Sequence, residues 1–196
     1  MLYVSGRVQL LIPGLVIIAC WITFVVYWLA TASRVKATAE RGSFTSMLAY
    51  RIPLVIGGIL LGVLRWHYPM NLPVTPESVV TWYAGAPVCV AGVAFAIWAR
   101  WTLGANWSSN VQFKEEHQLI RKGPYRFVRH PIYTGVLVMC SAPVIQFGRL
   151  HFWLGFLIVA IGLWIKLKQE EAVMLRHFPE YSEYRKQVKA LIPFII

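Results

Sequence analysis

The sequence predicts an all-α, polytopic membrane protein of about five transmembrane helices, and three observations carry the prediction. The 196 residues are 58% apolar and only 14% charged, where soluble domains run nearer half and a quarter. A chain of this length makes one domain or two small ones, so the apolar surplus has too little interior to hide in and must face lipid. The charges also cluster in the gaps between long uncharged runs, and sixteen of the nineteen Lys and Arg fall in alternate gaps. That pattern suits a chain that crosses a bilayer several times.

Taken in order, the runs define the spans. Val8 to Ser33 holds 26 residues without a charge, enough to cross roughly 30 Å of hydrocarbon. It follows a single early cation, Arg7, and offers no small-residue cleavage site before Trp21, so it reads as a retained helix rather than a secretory signal. Ile52 to Leu64 is only 13 residues. It becomes a second span when Leu48, Ala49, Tyr50 and Trp66 are added and Arg51 and Arg65 snorkel to opposite surfaces. Val80 to Ala99 is the third span, His130 to Gly148 the fourth and Leu150 to Ile165 the fifth. No internal repeat or low-complexity tract interrupts them.

The charges then set the orientation. Arg34, Lys36, Arg41 and Arg51 lie between spans one and two, Arg100 through Arg129 between three and four, and Lys166 through Lys189 after span five. Arg7, Arg65 and Arg149 fall on the other side. The positive-inside rule puts the N-terminus outside and the C-terminus in the cytoplasm, which requires an odd number of spans. A net charge of +11, with all eight acids glutamate, points to the anionic bilayer surface as partner and not to nucleic acid. Cys20, Cys89 and Cys140 sit singly in apolar stretches, so neither a disulfide framework nor metal-ligand spacing is read, and no metal is expected.

Two segments on the cytoplasmic side carry the unusual residues. In the first, Trp101 to Tyr133, a turn-rich stretch is followed by a short extended piece at Val111-Gln112-Phe113 and a tight turn at Lys122-Gly123-Pro124-Tyr125. Arg129-His130-Pro131 then opens span four, with Pro131 in the first helical turn, where it removes no helix hydrogen bond. The amides of Ile132 and Tyr133 make an anion-friendly helix start. Taken singly, Arg126 and Arg129 read equally as lipid-phosphate anchors, and Tyr125 and Tyr133 as interfacial aromatics. In the second segment, span five continues as an amphipathic helix. Lys166 and Glu170, four apart, share one face of it. Glu170-Glu171 is the only acidic pair near a span end, and it marks either a site or a pairing with Lys166, Lys168 or an arginine of the preceding loop. Phe178, Pro179, Tyr181 and Tyr184 read as packing the tail onto the bilayer surface.

Gly123-Pro124-Tyr125, then Arg129-His130-Pro131-x-Tyr133-x-Gly135, then Glu170-Glu171 with a following Tyr-x-x-Tyr, together resemble the isoprenylcysteine carboxyl methyltransferase and phospholipid methyltransferase superfamily. These are integral-membrane enzymes that use S-adenosyl-L-methionine. The resemblance covers roughly residues 85–196, which it marks as a methyltransferase core of spans three to five, a cytoplasmic loop at 101–131 and a helical tail. Residues 1–84, the first two spans, carry no signature.

The resemblance implies a cofactor site. His117, Gln118, Leu119 and Ile120 match the family's His-x-Leu-Val segment, and Gln112 corresponds to a cofactor-contacting glutamine, at a shorter spacing to His117 than in the family. Tyr125, Arg129, His130, Pro131, Ile132, Tyr133 and Glu170 complete the set. The cofactor's carboxylate suits the helix start beside Arg129 and His130, its ammonium or ribose hydroxyls suit Glu170, and its adenine suits a slot walled by Leu119, Ile120 and Tyr125. Lys166, Glu170 and Glu171 are the candidate catalytic groups. The carboxyl methyltransferases carry R-x-x-x-E where this chain has Lys166 and Glu170, and lysine lacks arginine's planar fork.

The expected reaction is methyl transfer to a lipophilic or small apolar acceptor, a prenylated cysteine carboxylate foremost. A phospholipid amine or a thiol is the alternative. Three rivals stand beside it: a sterol-reductase-like enzyme, suggested by a related R-H-x-x-Y-x-G pattern in longer proteins; a non-catalytic accessory membrane protein; and a small transporter, which would carry more charge inside its spans.

Overall fold

The computed structural model describes residues 2–32, 38–41, 43–62, 67–107, 111–114, 119–193 and 195. Among the described residues six α-helices dominate: α1 (Leu2–Thr31), α2 (Phe44–Gly62), α3 (Val79–Leu103), α4 (Pro131–Phe147), α5 (Leu150–His177) and the short α6 (Tyr181–Gln187). Two short strands, β1 (Thr38–Arg41) and β2 (Gln112–Lys114), pair antiparallel with Thr38 opposite Lys114 and Arg41 opposite Gln112. The protein is an all-α polytopic membrane protein, and this small ribbon does not alter its class.

Among the described residues four helices, α1, α2, α3 and α5, are long and apolar enough to cross a membrane. The fourth predicted span is the shorter α4, whose 17 residues rise about 25 Å at 1.5 Å per residue. The second span starts earlier than its charges suggest. Helix α2 opens at Phe44, so Arg51 lies seven residues inside it and not at its edge. Arg65 and Trp66 fall outside the described residues.

With lipid on all sides, no hydrophobic force drives helix against helix, and close packing of small residues holds them together. On α3, Gly85, Gly92 and Ala96 recur on one face and meet Ala142, Met139 and Gly135 of antiparallel α4. A Cβ at Gly92 would stand 2.8 Å from the Gly135 carbonyl. Helices α2 and α5 pair the same way, Gly57 against Gly155 and Val159, and Gly162 against Tyr50 and Leu54. Helix α1 joins α3 and α4 through Ile17, Cys20, Cys89, Val93 and Met139. It turns Leu11, Leu15, Ile22, Val26 and Leu29 outward, as a lipid-facing stripe requires.

The two ends of the bundle differ. At one, the loop before α3 is tied to the α4–α5 turn: Val74 N–H donates to Gly148 O at 2.8 Å and Leu150 N–H to Leu72 O at 2.9 Å. Gly148 closes α4 in the left-handed conformation (φ +57°), and a Cβ there would collide with Thr75, so only glycine fits this cap. Arg149 pairs with Glu77 beside it. At the opposite end the β1–β2 ribbon, the 3₁₀ turns Gly104–Asn106 and Gly123–Arg126, the extension of α5 and the tail come together. The described parts of the loops that the charge pattern assigned to one side therefore share one end.

Candidate active site

Pro131 takes the first position of α4 and His130 its N-cap. The chain just before that cap is stitched to the C-terminal tail. Arg129 N–H donates to Lys189 O at 2.8 Å, His130 N–H to Ala190 O at 3.0 Å, and Thr134 Oγ1 to Leu191 O at 2.7 Å. Helix α5 runs unbroken from the bundle into this region, carrying Lys166, Glu170 and Glu171 beside the α4 mouth. The tail and α5 thus meet the conspicuous R-H-P motif from two sides.

Between them lies a cavity of about 130 Å³. Its walls include Leu119, Ile120, Tyr125, Arg129, His130, Pro131, Ile132, Tyr133 and Glu170, nine residues expected to hold a cofactor, together with Lys166. His117 and Gln118 fall outside the described residues. Gln112 lies in β2, and its side chain is likewise not described. Glu171 does not line the cavity and is 3% exposed.

The adjacent glutamates do different work. Glu170 Oε1 accepts from Tyr133 Oη at 2.6 Å and lies 3.7 Å from Lys166 Nζ, one turn earlier on α5. His130 Nδ1 is 3.6 Å from its other oxygen, and the His130 and Tyr133 rings stack at 5.4 Å, 8° from parallel. Glu171 faces basic groups instead: Arg129 Nε at 2.8 Å, His130 Nε2 at 3.4 Å and Arg185 Nε at 3.5 Å. Arg129 also donates through Nη1 to the carbonyls of Arg185 and Val188. Its guanidinium is thereby spent on Glu171 and the tail, although the residue borders the cavity.

Leu103, Asn106, Trp107, Met174, Tyr181 and Tyr184 complete the lining. The two tyrosines correct the sequence reading. They are buried at 4% and 3% exposure, not spread on a bilayer surface. Tyr184 Oη donates to the Tyr125 carbonyl, and Tyr181 Oη to Glu171 Oε1 at 3.5 Å. The physical reason is the bridge from Val128 to Lys189, which folds the tail back over the loop. Burial pushes the Tyr125 and Tyr181 phenols well above their usual range, with Glu170 adding to the first and Glu171 to the second. Burial likewise lifts Tyr184 to about 12, outweighing Arg129 and Arg121. All three remain neutral hydroxyls at physiological pH, able to donate but poorly suited to take a proton.

The pattern has relatives. The sequence model of the isoprenylcysteine carboxyl methyltransferase (ICMT) family matches residues 85–176, just under half of the chain. Over that stretch the chain is similar to this family of methyltransferases. A probable protein-S-isoprenylcysteine O-methyltransferase of Oryza sativa subsp. indica is 28% identical over 127 residues, 61% of this chain and 66% of the relative. The protein-S-isoprenylcysteine O-methyltransferase of Homo sapiens is 28% identical over 122 residues, 59% of this chain and 43% of the relative. A methanethiol S-methyltransferase of Crocosphaera subtropica is 38% identical over 72 residues, 36% of this chain and 28% of the relative. The chain thus spans less than two thirds of each of these relatives. Among solved structures, the eukaryotic intramembrane Ras methyltransferase ICMT superposes with a TM-score of 0.50 at 22% identity, covering 77% of this chain and 52% of that one. That likeness bears on the fold.

Proposed function

We propose that the protein is an integral-membrane methyltransferase that uses S-adenosyl-L-methionine and acts on a lipophilic acceptor bearing a carboxylate, as a prenylated cysteine does. One observation carries the reading: a single cavity brings the R-H-P-x-Y motif of α4 against Glu170 of α5. The donor set suits the cofactor. Glu170 offers a carboxylate to an ammonium or ribose hydroxyls, and Leu119, Ile120, Trp107 and Tyr125 offer apolar and aromatic walls to a nucleoside.

When bound, S-adenosylmethionine supplies an activated methyl group on a sulfonium. The residues do the rest by holding and excluding. Tyr133 fixes the Glu170 carboxylate by a 2.6 Å hydrogen bond. The neutral phenols of Tyr125, Tyr181 and Tyr184 close the wall against water without adding charge. Lys166 supplies the positive charge that steadies an anionic acceptor. A carboxylate arrives already ionised, its pKa being near 3.5, so no group here must remove a proton, and catalysis rests on proximity. Glu171 serves as a positioning residue, acting through Arg129 and His130. The positive-inside rule supports an outside N-terminus and a cytoplasmic cavity.

The 38% identity to a methanethiol S-methyltransferase favours a second reading, transfer to a small thiol by the same site. A transfer assay decides between them: purified protein, radiolabelled methyl donor, and N-acetyl-S-farnesylcysteine, a fatty acid, phosphatidylethanolamine and methanethiol as separate acceptors. Label in the farnesylcysteine ester is the expected result. Label in methanethiol alone selects the second reading, and no label in any acceptor contradicts both.

A further inference from the structure

The N-terminal half carries no motif, yet it packs one residue, Tyr50, against Lys166 of the cavity wall. Tyr50 of α2 is 2% exposed, and its hydroxyl meets no hydrogen-bond partner among the described residues. A buried phenol ordinarily finds one, because an unpaired buried donor is costly. Lys166 Nζ stands 5.6 Å from the centre of the Tyr50 ring and 5.4 Å from that of Tyr133. The cation therefore rests between rings of α2 and α4. Its nearest carboxylate oxygen, Glu170 Oε1, is 3.7 Å away and already accepts from Tyr133. That distance exceeds hydrogen-bond length, so among the described residues the ammonium is balanced in charge while its directed donors remain available.

Resting on the methyltransferase reading above, we infer that Tyr50 is the second donor of a split carboxylate clamp, in which Lys166 supplies the charge and the Tyr50 hydroxyl the directed hydrogen bond. Arginine presents both functions in one planar fork, whereas lysine offers a point charge. Here α2 contributes the donor that the R-x-x-x-E pattern loses when lysine replaces arginine. The ligand class follows: an oxyanion with two acceptor oxygens. An amine would meet Lys166 with the wrong sign, and a thiol brings one soft atom where two oxygens are wanted.

Tyr50→Phe keeps the ring beside Lys166 and removes only the hydroxyl. With N-acetyl-S-farnesylcysteine as acceptor, the expected result is a KM about tenfold higher, with kcat and the calorimetric affinity for S-adenosylhomocysteine unchanged. Adding Lys166→Arg to that variant rebuilds the fork in one residue and returns KM to within about twofold of wild type. An unaltered KM in Tyr50→Phe, no recovery in the double variant, or lost S-adenosylhomocysteine binding in Tyr50→Phe overturns the clamp and leaves the methyltransferase reading standing. A wild type that methylates only the thiol or the amine overturns it as well. A wild type that neither binds S-adenosylhomocysteine nor transfers methyl to any acceptor fails at the underlying reading instead.

Discussion

Arg129 grips Glu171 with two nitrogens on one oxygen, Nε at 2.8 Å and Nη2 at 2.5 Å from Oε1. Both side chains are nearly sealed from solvent, at 7% and 4% exposure. The pair joins the start of α4 to the end of α5, and the remaining Arg129 nitrogen holds the tail carbonyls. Three elements that are distant in sequence thus depend on one ion pair.

Breaking that pair strands a buried charge, which typically costs about 3–5 kcal/mol. Arg129→Ala is expected to lower the detergent-phase unfolding temperature clearly, and Arg129→Lys by less. An unfolding curve for Arg129→Ala that overlays wild type would mean the clasp is idle.

Glu170 and Glu171 are neighbours with separable roles. Glu170→Gln is expected to weaken S-adenosylhomocysteine binding at least about tenfold while the unfolding temperature holds, since a hydrogen bond to a charged group is worth about 1.5–3 kcal/mol. Glu171→Gln is expected to act chiefly on stability. Calorimetry and thermal melts on both variants read the two effects apart, and identical profiles would refute the division.

Small residues set the spacing of α3 and α4. Gly92→Val would drive a side chain into the Gly135 carbonyl and Met139, both 2.8 Å from its Cβ, and overpacking of this kind costs about 1–3 kcal/mol. Gly58→Ala on α2 meets nothing within 4 Å and is the neutral control. Equal yields of folded protein from both in detergent would contradict the packing account.

The buried phenols give a pH limit. Burial raises Tyr184 to about 12, against about 10 in the unfolded chain. Its contribution to stability is complete below about pH 10 and is lost as pH rises through about 12. Alkaline unfolding is expected across that window, reduced in Tyr184→Phe. Tyrosinate absorbance growing before the fold opens, with no change in Tyr184→Phe, would contradict it.

Much of this was readable in the chain itself. The uncharged runs mark the helices, Pro131 sits where a helix begins, and the four-residue spacing of Lys166 and Glu170 becomes a 3.7 Å contact. What escaped depends on long-range folding. Arg51 reads as a span edge because a charge looks like a boundary, although α2 begins at Phe44. The aromatic tail looks interfacial until its backbone is seen bonded to Arg129 and His130. Adjacent glutamates on a helix point about 100° apart, and only packing decides that Glu170 lines the cavity while Glu171 turns to Arg129. Tyr50 gives no local signal at all, since it reaches Lys166 across the pairing of α2 with α5.

The most direct measurement is calorimetric titration of the purified wild-type protein in detergent with S-adenosylhomocysteine. Saturable heat at one equivalent per chain, abolished or greatly reduced in a variant carrying both His130→Ala and Glu170→Gln, is the predicted result. An absence of heat at millimolar nucleoside, from protein that still unfolds cooperatively, would contradict the claim that this cavity holds a methyl donor.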